Sequence, residues 1–346
     1  MTPAKHFRVA LVGCGRISGN HFDAIAKVDG LELTAVCDIV EERAKSAGEK
    51  NGVPWFTEYS KMLADAECDV VVVATPSGLH PEHGVMAAEA RKHVVSEKPM
   101  AISLAGADRL VDACDKARVN LFVVKQNRLN APVQLVKRAI DKGRFGKIYL
   151  ANTTVLWARP QEYYDQASWR GTKAMDGGAF MNQASHYVDL IQWLGGPVES
   201  VVAKTATMAR RIETEDTGVA VMKFASGAIG TIEVTMLTYP KNLEGSLTIL
   251  GEKGTVKIGG TAVNKVEHWE FAEPDPDDAL VEASSSNPPN VYGYGHEGYY
   301  RNVTAVLRGE GKAETDGRAG RKSLELILAI YRAAKTGTEV RLPLEE

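Results

Sequence analysis

The sequence predicts an α/β chain of two domains: an N-terminal doubly wound parallel sheet, then a C-terminal α/β domain with an open, mainly antiparallel sheet. Three observations carry this. As far as residue 125, short apolar runs alternate with helical patterns. The run Val70-Val71-Val72-Val73 is apolar at every position, as in a parallel strand buried on both faces. Beyond residue 126, strand-like stretches follow one another mostly without helices, which favours antiparallel neighbours. The domains are accordingly drawn as 1–125 and 126–346.

The first strand, 7–12, ends at Gly13-Cys14-Gly15. A helical pattern follows, with Ile17, Phe22 and Ile25 on one face. Strand, glycine turn and helix start make the first third of a dinucleotide (Rossmann) site. The glycines let backbone approach a pyrophosphate, and the helix start offers unpaired N–H groups. Ser18 stands where a third glycine would fall. The next strand, 33–37, ends in Asp38, roughly 20 residues on, where an acid meets the ribose diol of the adenosine. An anion there repels a 2′-phosphate and favours NAD over NADP. A plain helix cap is the other reading of Asp38. Arg43 is expected beside the adenine or in solvent.

Helices at 41–50 and 59–64 precede the strand 70–74, which ends at Thr75-Pro76-Ser77. A helix runs from His80 to 90. The strand 93–96 ends at Glu97-Lys98-Pro99, and the helix 104–117 leads to the strand 121–124 and Gln126. Ligands bind beyond the carboxyl ends of such strands. The cofactor-binding candidates are therefore Gly13, Gly15, Arg16, Ile17, Asp38, Arg43, Thr75, Ser77, His80, Glu97, Lys98 and Gln126. In the second domain a helix is expected at 131–142. Strands are expected at 148–157, 198–209, 218–224, 228–236, 246–250 and 255–258, with a hairpin turn at Ala225-Ser226-Gly227. A helix covers 178–194, a surface loop 273–290, and helices 297–307 and 324–335 close the chain.

Composition sets limits. The chain has 346 residues, 44% hydrophobic, enough for two cores. A net charge of −3 argues against nucleic acid or an acidic membrane as main partner. No apolar run reaches the ~18 residues of a membrane span, and residues 1–5 have no signal-peptide core. A cytoplasmic location is expected. Four cysteines without C-x-x-C spacing suggest neither a metal site nor a disulfide framework.

Two stretches carry chemistry. In Ser96-Glu97-Lys98-Pro99, Lys98 ends a strand beside the expected nicotinamide position, and Pro99 restricts it to extended backbone. It could hydrogen-bond a substrate hydroxyl, serve as the base itself if its pKa is depressed, or be a surface lysine. In the second stretch, Asn182, His186 and Asp189 fall at i, i+4 and i+7, one face of a helix. His186 can accept a hydroxyl proton at neutral pH. Asp189 would orient its ring, or the two would form a purely structural pair.

The glycine turn G-C-G-R-I, C-D-I, A-T-P-S, E-K-P and H-Y-V-D-L, in this order, resemble the glucose-fructose oxidoreductase and inositol dehydrogenase family over essentially the whole chain. That resemblance implies a dinucleotide domain joined to an open-sheet substrate domain. Asn182 departs from it, since many members carry an acid there. Three longer stretches resemble one branch, the bacterial UDP-N-acetyl-2-amino-2-deoxyglucuronate dehydrogenases: W-R-G-T-K-A-M-D-G-G-A-F-M-N-Q-A-S-H, T-M-L-T-Y-P-K-N-L-E-G and V-Y-G-Y-G-H-E-G-Y-Y. Lys173 departs from that branch, which carries an aromatic residue there. The resemblance implies NAD-dependent oxidation of the sugar C3 hydroxyl, towards diacetamido-uronic sugars of surface polysaccharide such as lipopolysaccharide. It implies Lys98, His186 and Asp189 as catalytic residues. The implied substrate contacts are Lys98, Arg159, Tyr163, Trp169, Arg170, Lys173, Asn182, His186, Lys241, Asn242 and His296, with no metal. A UDP-uronate is anionic, and Arg159, Arg170, Lys173, Arg210, Arg211 and Lys241 lie in or near loops. Tyr163, Tyr164, Trp169, Tyr292 and Tyr294 could stack on uracil or line the sugar.

The open sheet leaves one face to cover, so a homo-oligomer is expected, a tetramer through that face. A 2-oxo acid such as 2-oxoglutarate could take the hydride and recycle the cofactor in place. Two other readings stay open: a dehydrogenase of a free polyol or hexose, and a non-catalytic NAD- or sugar-binding sensor. The loop cations weigh against the first, and Lys98 with His186 against the second.

Overall fold

The computed structural model describes residues 6–260, 262–286, 288 and 291–345. The polar stretch 1–5 lies outside them, as do 287, 289 and 290 of the expected surface loop. The chain forms two units: Met1–Lys125 with His296–Lys322, and Gln126–Gly295 with Ser323–Glu346.

The first unit alternates strand and helix as its apolar runs require. The elements are β1 (Phe7–Val12), α1 (Ser18–Lys27), β2 (Leu31–Cys37), α2 (Glu41–Asn51), β3 (Trp55–Phe56), α3 (Tyr59–Asp65), β4 (Val70–Val73), α4 (His80–Glu89), β5 (His93–Ser96), α5 (Leu104–Ala117) and β6 (Leu121–Val123). All six strands pair in parallel in the order β3-β2-β1-β4-β5-β6. Every carboxyl end therefore lies along one edge, and the order reverses beside β1, where such sheets bind ligands. The four valines of β4 are fully buried between β1 and β5. Gly13 ends β1 at φ +100°, and a Cβ there would lie 2.5 Å from both the carbonyl carbon and oxygen of Ala74. The turn after β1 thus packs directly on the backbone that leaves β4. The four cysteines are free, and burial pushes the Cys14 and Cys114 thiols up to about 12.

The segment 296–322, assigned by sequence to the second domain, returns to this unit. Tyr299, Tyr300 and Val303 pack into the core built by Phe7, Leu11, Ile25 and Phe122. Thr315 exchanges hydrogen bonds with edge strand β6: its hydroxyl donates to Val123 O at 2.6 Å and its carbonyl accepts the Val123 N–H at 3.0 Å. An amphipathic pattern shows that a helix will pack, not which sheet it packs on.

The second unit contains α6 (Ala131–Asp141), β7 (Ile148–Leu156), α7 (Gln161–Asp165), α8 (Ser185–Gly195), β8 (Val198–Ala206), β9 (Thr217–Phe224), β10 (Ile229–Thr235), β11 (Glu244–Gly251), β12 (Gly254–Gly259), β13 (Lys265–Phe271) and α9 (Val281–Ser284). After α10 (Gly295–Leu307), the helix α11 (Gly317–Thr336) has its first residues in the first unit and the rest here, followed by β14 (Val340–Arg341). Eight strands run β13-β12-β11-β7-β10-β9-β8-β14. Among the described residues of this sheet, only β7 and β10 pair in parallel. The helix expected at 178–194 begins only at Ser185; residues 177–184 are turns that place Asn182 outside it. The expected loop 273–290 holds a 3-10 turn and α9, capped by Asp275 and tied down by Arg138, Lys142 and Arg144.

Strand β9 alternates strictly, with Val219 and Val221 on the open face. Val202 lies opposite Val221, and Ile229 opposite Lys223. Exposures of 41–52% leave these four apolar side chains uncovered as a group.

The Gly13 contact makes a specific prediction. Gly13→Ala should lower stability by about 3 kcal/mol or more, since both the backbone conformation and the Ala74 contact oppose a Cβ. Gly19→Ala, where a Cβ meets nothing within 4 Å, should be nearly neutral. Equal melting temperatures for the two variants would show that the contact is not tight.

Candidate functional site

In the first unit the strand-end residues form a cradle. Ser18, in the third-glycine position, turns its hydroxyl onto Gly15 O at 2.7 Å and so tightens the turn. Gly15 faces open space: a Cβ there would meet nothing within 4 Å. Asp38 is buried, accepting the Cys14 N–H at 3.0 Å through Oδ2 and the Val40 N–H at 2.9 Å through Oδ1. It closes a local turn and also braces the glycine turn, so neither reading from sequence covers it alone. Arg43 approaches it to 3.9 Å, and Arg16 is exposed. Ile39, which sequence reading passed over, is 91% exposed next to Asp38. A bare aliphatic side chain beside an acid at a strand's carboxyl end is suited to cover a flat base.

Thr75 Oγ1 lies 3.0 Å from His83 Nδ1, and Ser77 is buried in the following turn. His80 is buried, with its ring nitrogens 2.7 Å from the carbonyl oxygens of Pro99 and Thr75. Burial holds it below the usual imidazole range against those partners. It ties two strand-end loops together and does not offer a ring nitrogen to a ligand. Glu97 is also buried, with Oε1 3.1 Å from His21 Nε2 and Oε2 accepting the Lys98 N–H at 2.9 Å. Burial acts to raise its pKa, but the His21 bond and the charges of His21, Lys98 and His296 hold it at about 2. His296, expected at the substrate, is buried in this unit with its ring against His21, and burial pushes it down to about 3. His21, Glu97 and His296 are the cluster among the described residues whose donor atoms lie close enough, within 4.8 Å of one another, to hold a metal ion.

In the second unit, α8 buries His186 and Asp189 one turn apart. Asp189 does not orient His186. Its two oxygens accept from Arg128 Nε and Nη2, both at 2.7 Å, in a buried bidentate pair. A carboxylate this deep requires a full countercharge, and the planar guanidinium, stacked 4.9 Å from the Trp193 ring centre, supplies it. Sequence reading missed Arg128, which lies just after the first domain's last strand. Asn182 donates to Asp176 Oδ1, while Asp176 Oδ2 accepts the Gly171 N–H at 2.7 Å. Gln126 is buried, and its amide oxygen has no hydrogen-bond partner.

Five of the expected substrate residues converge. Arg159 stacks over Trp157 and Tyr163, at 4.9 and 5.4 Å from their ring centres. Arg170 stacks over Tyr163 and Trp169, at 4.4 and 4.8 Å, and donates to the Tyr163 hydroxyl at 2.6 Å. Asn242 accepts from Arg159 at 3.1 Å and joins the group. Arg210 reaches it by donating to Arg159 O at 2.7 Å. Tyr164 is buried against Tyr163. Lys173, Arg211, Lys241 and Tyr294 are on the surface or held only through their backbone.

The turns before α8 are held by a buried acid that sequence reading also missed. Glu215 Oε1 accepts the Phe180 N–H at 2.9 Å and the Tyr331 hydroxyl at 2.8 Å. Gly178, at φ +112°, leaves the room: a Cβ would lie 2.3 Å from Glu215 Oε2. Burial pushes Glu215 up to about 7. The folded state therefore binds this proton more tightly than the unfolded chain. Its contribution is full below the ordinary carboxylate range and is lost as pH rises through about 7. Glu215→Gln should stabilise the protein by on the order of 2 kcal/mol at pH ~9, with the gain vanishing near pH ~4. A gain that does not change with pH in thermal melts would rule out this titration.

Comparison with known proteins agrees with this division of labour. Residues 7–125 match the oxidoreductase family, NAD-binding Rossmann fold, and residues 137–342 the oxidoreductase family, C-terminal alpha/beta domain. The WlbA dehydrogenase from Bordetella pertussis, solved with NADH and UDP-GlcNAcA, is 57% identical, with 99% of each chain covered and a TM-score of 0.95. The WlbA dehydrogenase from Chromobacterium violaceum, solved with the same two ligands, is 55% identical over 100% of this chain and 98% of its own, with a TM-score of 0.94. D-apiose dehydrogenase of Paraburkholderia graminis is 27% identical over 99% of this chain and 91% of its own length. The cradle at the end of β1 and the two matched domains together place this chain in the GFO/IDH/MocA oxidoreductase family, as an NAD-dependent enzyme that oxidises a CH–OH group.

Proposed function

We propose that the substrate is a UDP-linked N-acetylglucosaminuronate, oxidised at its C3 hydroxyl in the cytoplasm on the way to diacetamido-uronic sugars of surface polysaccharide. The observation that carries this is Arg170. It is stacked between two aromatic rings, has no acidic partner among the described residues, and its Nε is buried without a hydrogen-bond partner. A buried guanidinium edge is costly unless an anion meets it. A uronate carboxylate or a diphosphate meets that need and a neutral polyol does not. The UDP-GlcNAcA bound by both WlbA dehydrogenases supports the same reading.

Bound NAD supplies the hydride acceptor. The Gly13–Gly15 turn and the start of α1 would hold its pyrophosphate, Asp38 its ribose diol, and Ile39 its adenine. Gln126, whose buried amide oxygen has no hydrogen-bond partner among the described residues, would offer it an acceptor. His186 takes the C3 hydroxyl proton, and Lys98 donates a hydrogen bond to the same oxygen and stabilises its developing charge. Asp189 has no step of its own here: it is the buried partner of Arg128 and fixes α8.

Purified enzyme with NAD should oxidise UDP-N-acetylglucosaminuronate, read as NADH or, when 2-oxoglutarate is added and takes the hydride, as 2-hydroxyglutarate, and should not oxidise myo-inositol or D-apiose. Equal turnover of a free polyol would sink the proposal. His186→Ala and Lys98→Ala should each slow single-turnover hydride transfer by at least ~10²-fold. Arg170→Ala should raise the half-saturating substrate concentration by ~10-fold or more and leave NAD affinity unchanged.

We also propose that the open face around Val202, Val219, Val221 and Ile229 pairs with further copies of the chain to make a tetramer. A group of aliphatic side chains with alternating Lys and Glu at the margins is the composition of an interface between copies. Val221→Asp should reduce the mass seen by light scattering. A wild-type monomer at micromolar concentration would overturn the assignment.

A further inference from the structure

One buried polar cluster has no part in the reading above: His21 on α1 with Tyr300 and His296 on α10, all against Glu97. We propose that His21, held by Tyr300, is a positioning residue for Lys98 and acts through the Glu97 carboxylate. This rests on the proposed role of Lys98.

The argument starts from the two oxygens of Glu97. Oε2 accepts the backbone N–H of Lys98 at 2.9 Å, so the carboxylate folds back on the peptide that follows it. That ring orients Lys98 only if the carboxylate itself cannot turn. Oε1 prevents turning, because it is bonded to His21 Nε2 at 3.1 Å. An ionised carboxylate only accepts, so Nε2 carries the hydrogen in that bond. His21 is held in turn by the Tyr300 hydroxyl, 2.7 Å from Nδ1. A hydroxyl can donate or accept, so this bond survives whichever form the imidazole takes. His296 packs edge-on against the His21 ring, 5.5 Å between centres, and limits its rotation. His21, Tyr300 and His296 are at most 5% exposed.

The chain thus leads from Tyr300 through His21 and Glu97 to the root of Lys98. A lysine side chain has many rotamers, and fixing its backbone end reduces the volume its ammonium samples. Hydride transfer is sensitive to such placement: a misplacement of ~1 Å can cost ~10²-fold in rate. None of the three side chains has to touch the substrate for this effect.

The test is a double-mutant cycle on single-turnover hydride transfer with saturating NAD and substrate. Tyr300→Phe removes one hydroxyl without changing shape, and His21→Ala removes the whole link. Tyr300→Phe should slow transfer by ~3–10-fold and His21→Ala by more, with NAD affinity changed less than ~2-fold. In a Lys98→Ala background, Tyr300→Phe should have no further effect, which a role in stability alone would not produce. If Tyr300→Phe slows transfer by the same factor with and without Lys98, or not at all while Lys98→Ala does, the positioning role is overturned. If Lys98→Ala itself leaves transfer unchanged, the role proposed for Lys98 fails instead. Stoichiometric divalent metal in the purified protein, measured by elemental analysis, would also overturn it, since a cation and not His21 would then hold Glu97.

Discussion

An ionised carboxylate inside a protein must be met by donors, and Glu97 imposes that constraint on the first unit. It follows β5 directly, at the ligand-binding edge of the sheet, and is buried. The sheet alone cannot satisfy it. One donor comes from the next peptide, one from α1, and the support for that histidine comes from α10. The return of 296–322 to this unit follows from the same need, because the residues that complete the cluster also fill the apolar core through Tyr299 and Val303. Polar satisfaction and core packing act on the same two turns of helix.

The second unit solves a similar problem twice. Asp189 is as deep as any core residue and is matched by a bidentate, ring-stacked Arg128. Breaking such a pair leaves a bare charge, typically at a cost of ~3–5 kcal/mol, so Asp189 is committed to structure. Glu215 takes the other course. It has backbone and hydroxyl donors but no cationic partner among the described residues, and its affinity for a proton rises accordingly. Both acids brace the segment that presents His186: one fixes α8 from within, the other fixes the turns before it. By contrast the guanidinium of Arg170 is stacked on rings and has no acidic partner among the described residues.

Departures from the sequence reading have identifiable physical causes. The helix expected to carry Asn182, His186 and Asp189 on one face begins only at Ser185, because Gly178 and Glu215 hold the preceding residues in turns. Periodicity shows where a helix is possible but not where a buried acid will interrupt it. The strands β13 and β14 went unread because edge strands need no apolar run; β13 carries Lys, Glu and His, largely exposed. His80 and His296 stand at the first turns of α4 and α10, and both rings are buried.

By itself the sequence determined the doubly wound sheet, the glycine turn, the acid at the end of β2, the E-K-P turn and the helix that bears His186. Each is a local pattern of a few residues whose physics is complete within it: a strand buried on both faces, a turn that excludes Cβ, a helix stripe. The convergence of Arg159, Tyr163, Trp169, Arg170 and Asn242 was legible as a set of residue types, though not as one cluster. Only the tertiary structure decided partnership. It gave Asp189 to Arg128, Asn182 to Asp176, Glu97 to His21, and the 296–322 segment to the first unit. Each of those pairings satisfies a buried polar group with a donor from elsewhere in the chain, and nothing in local spacing specifies which donor the fold will bring.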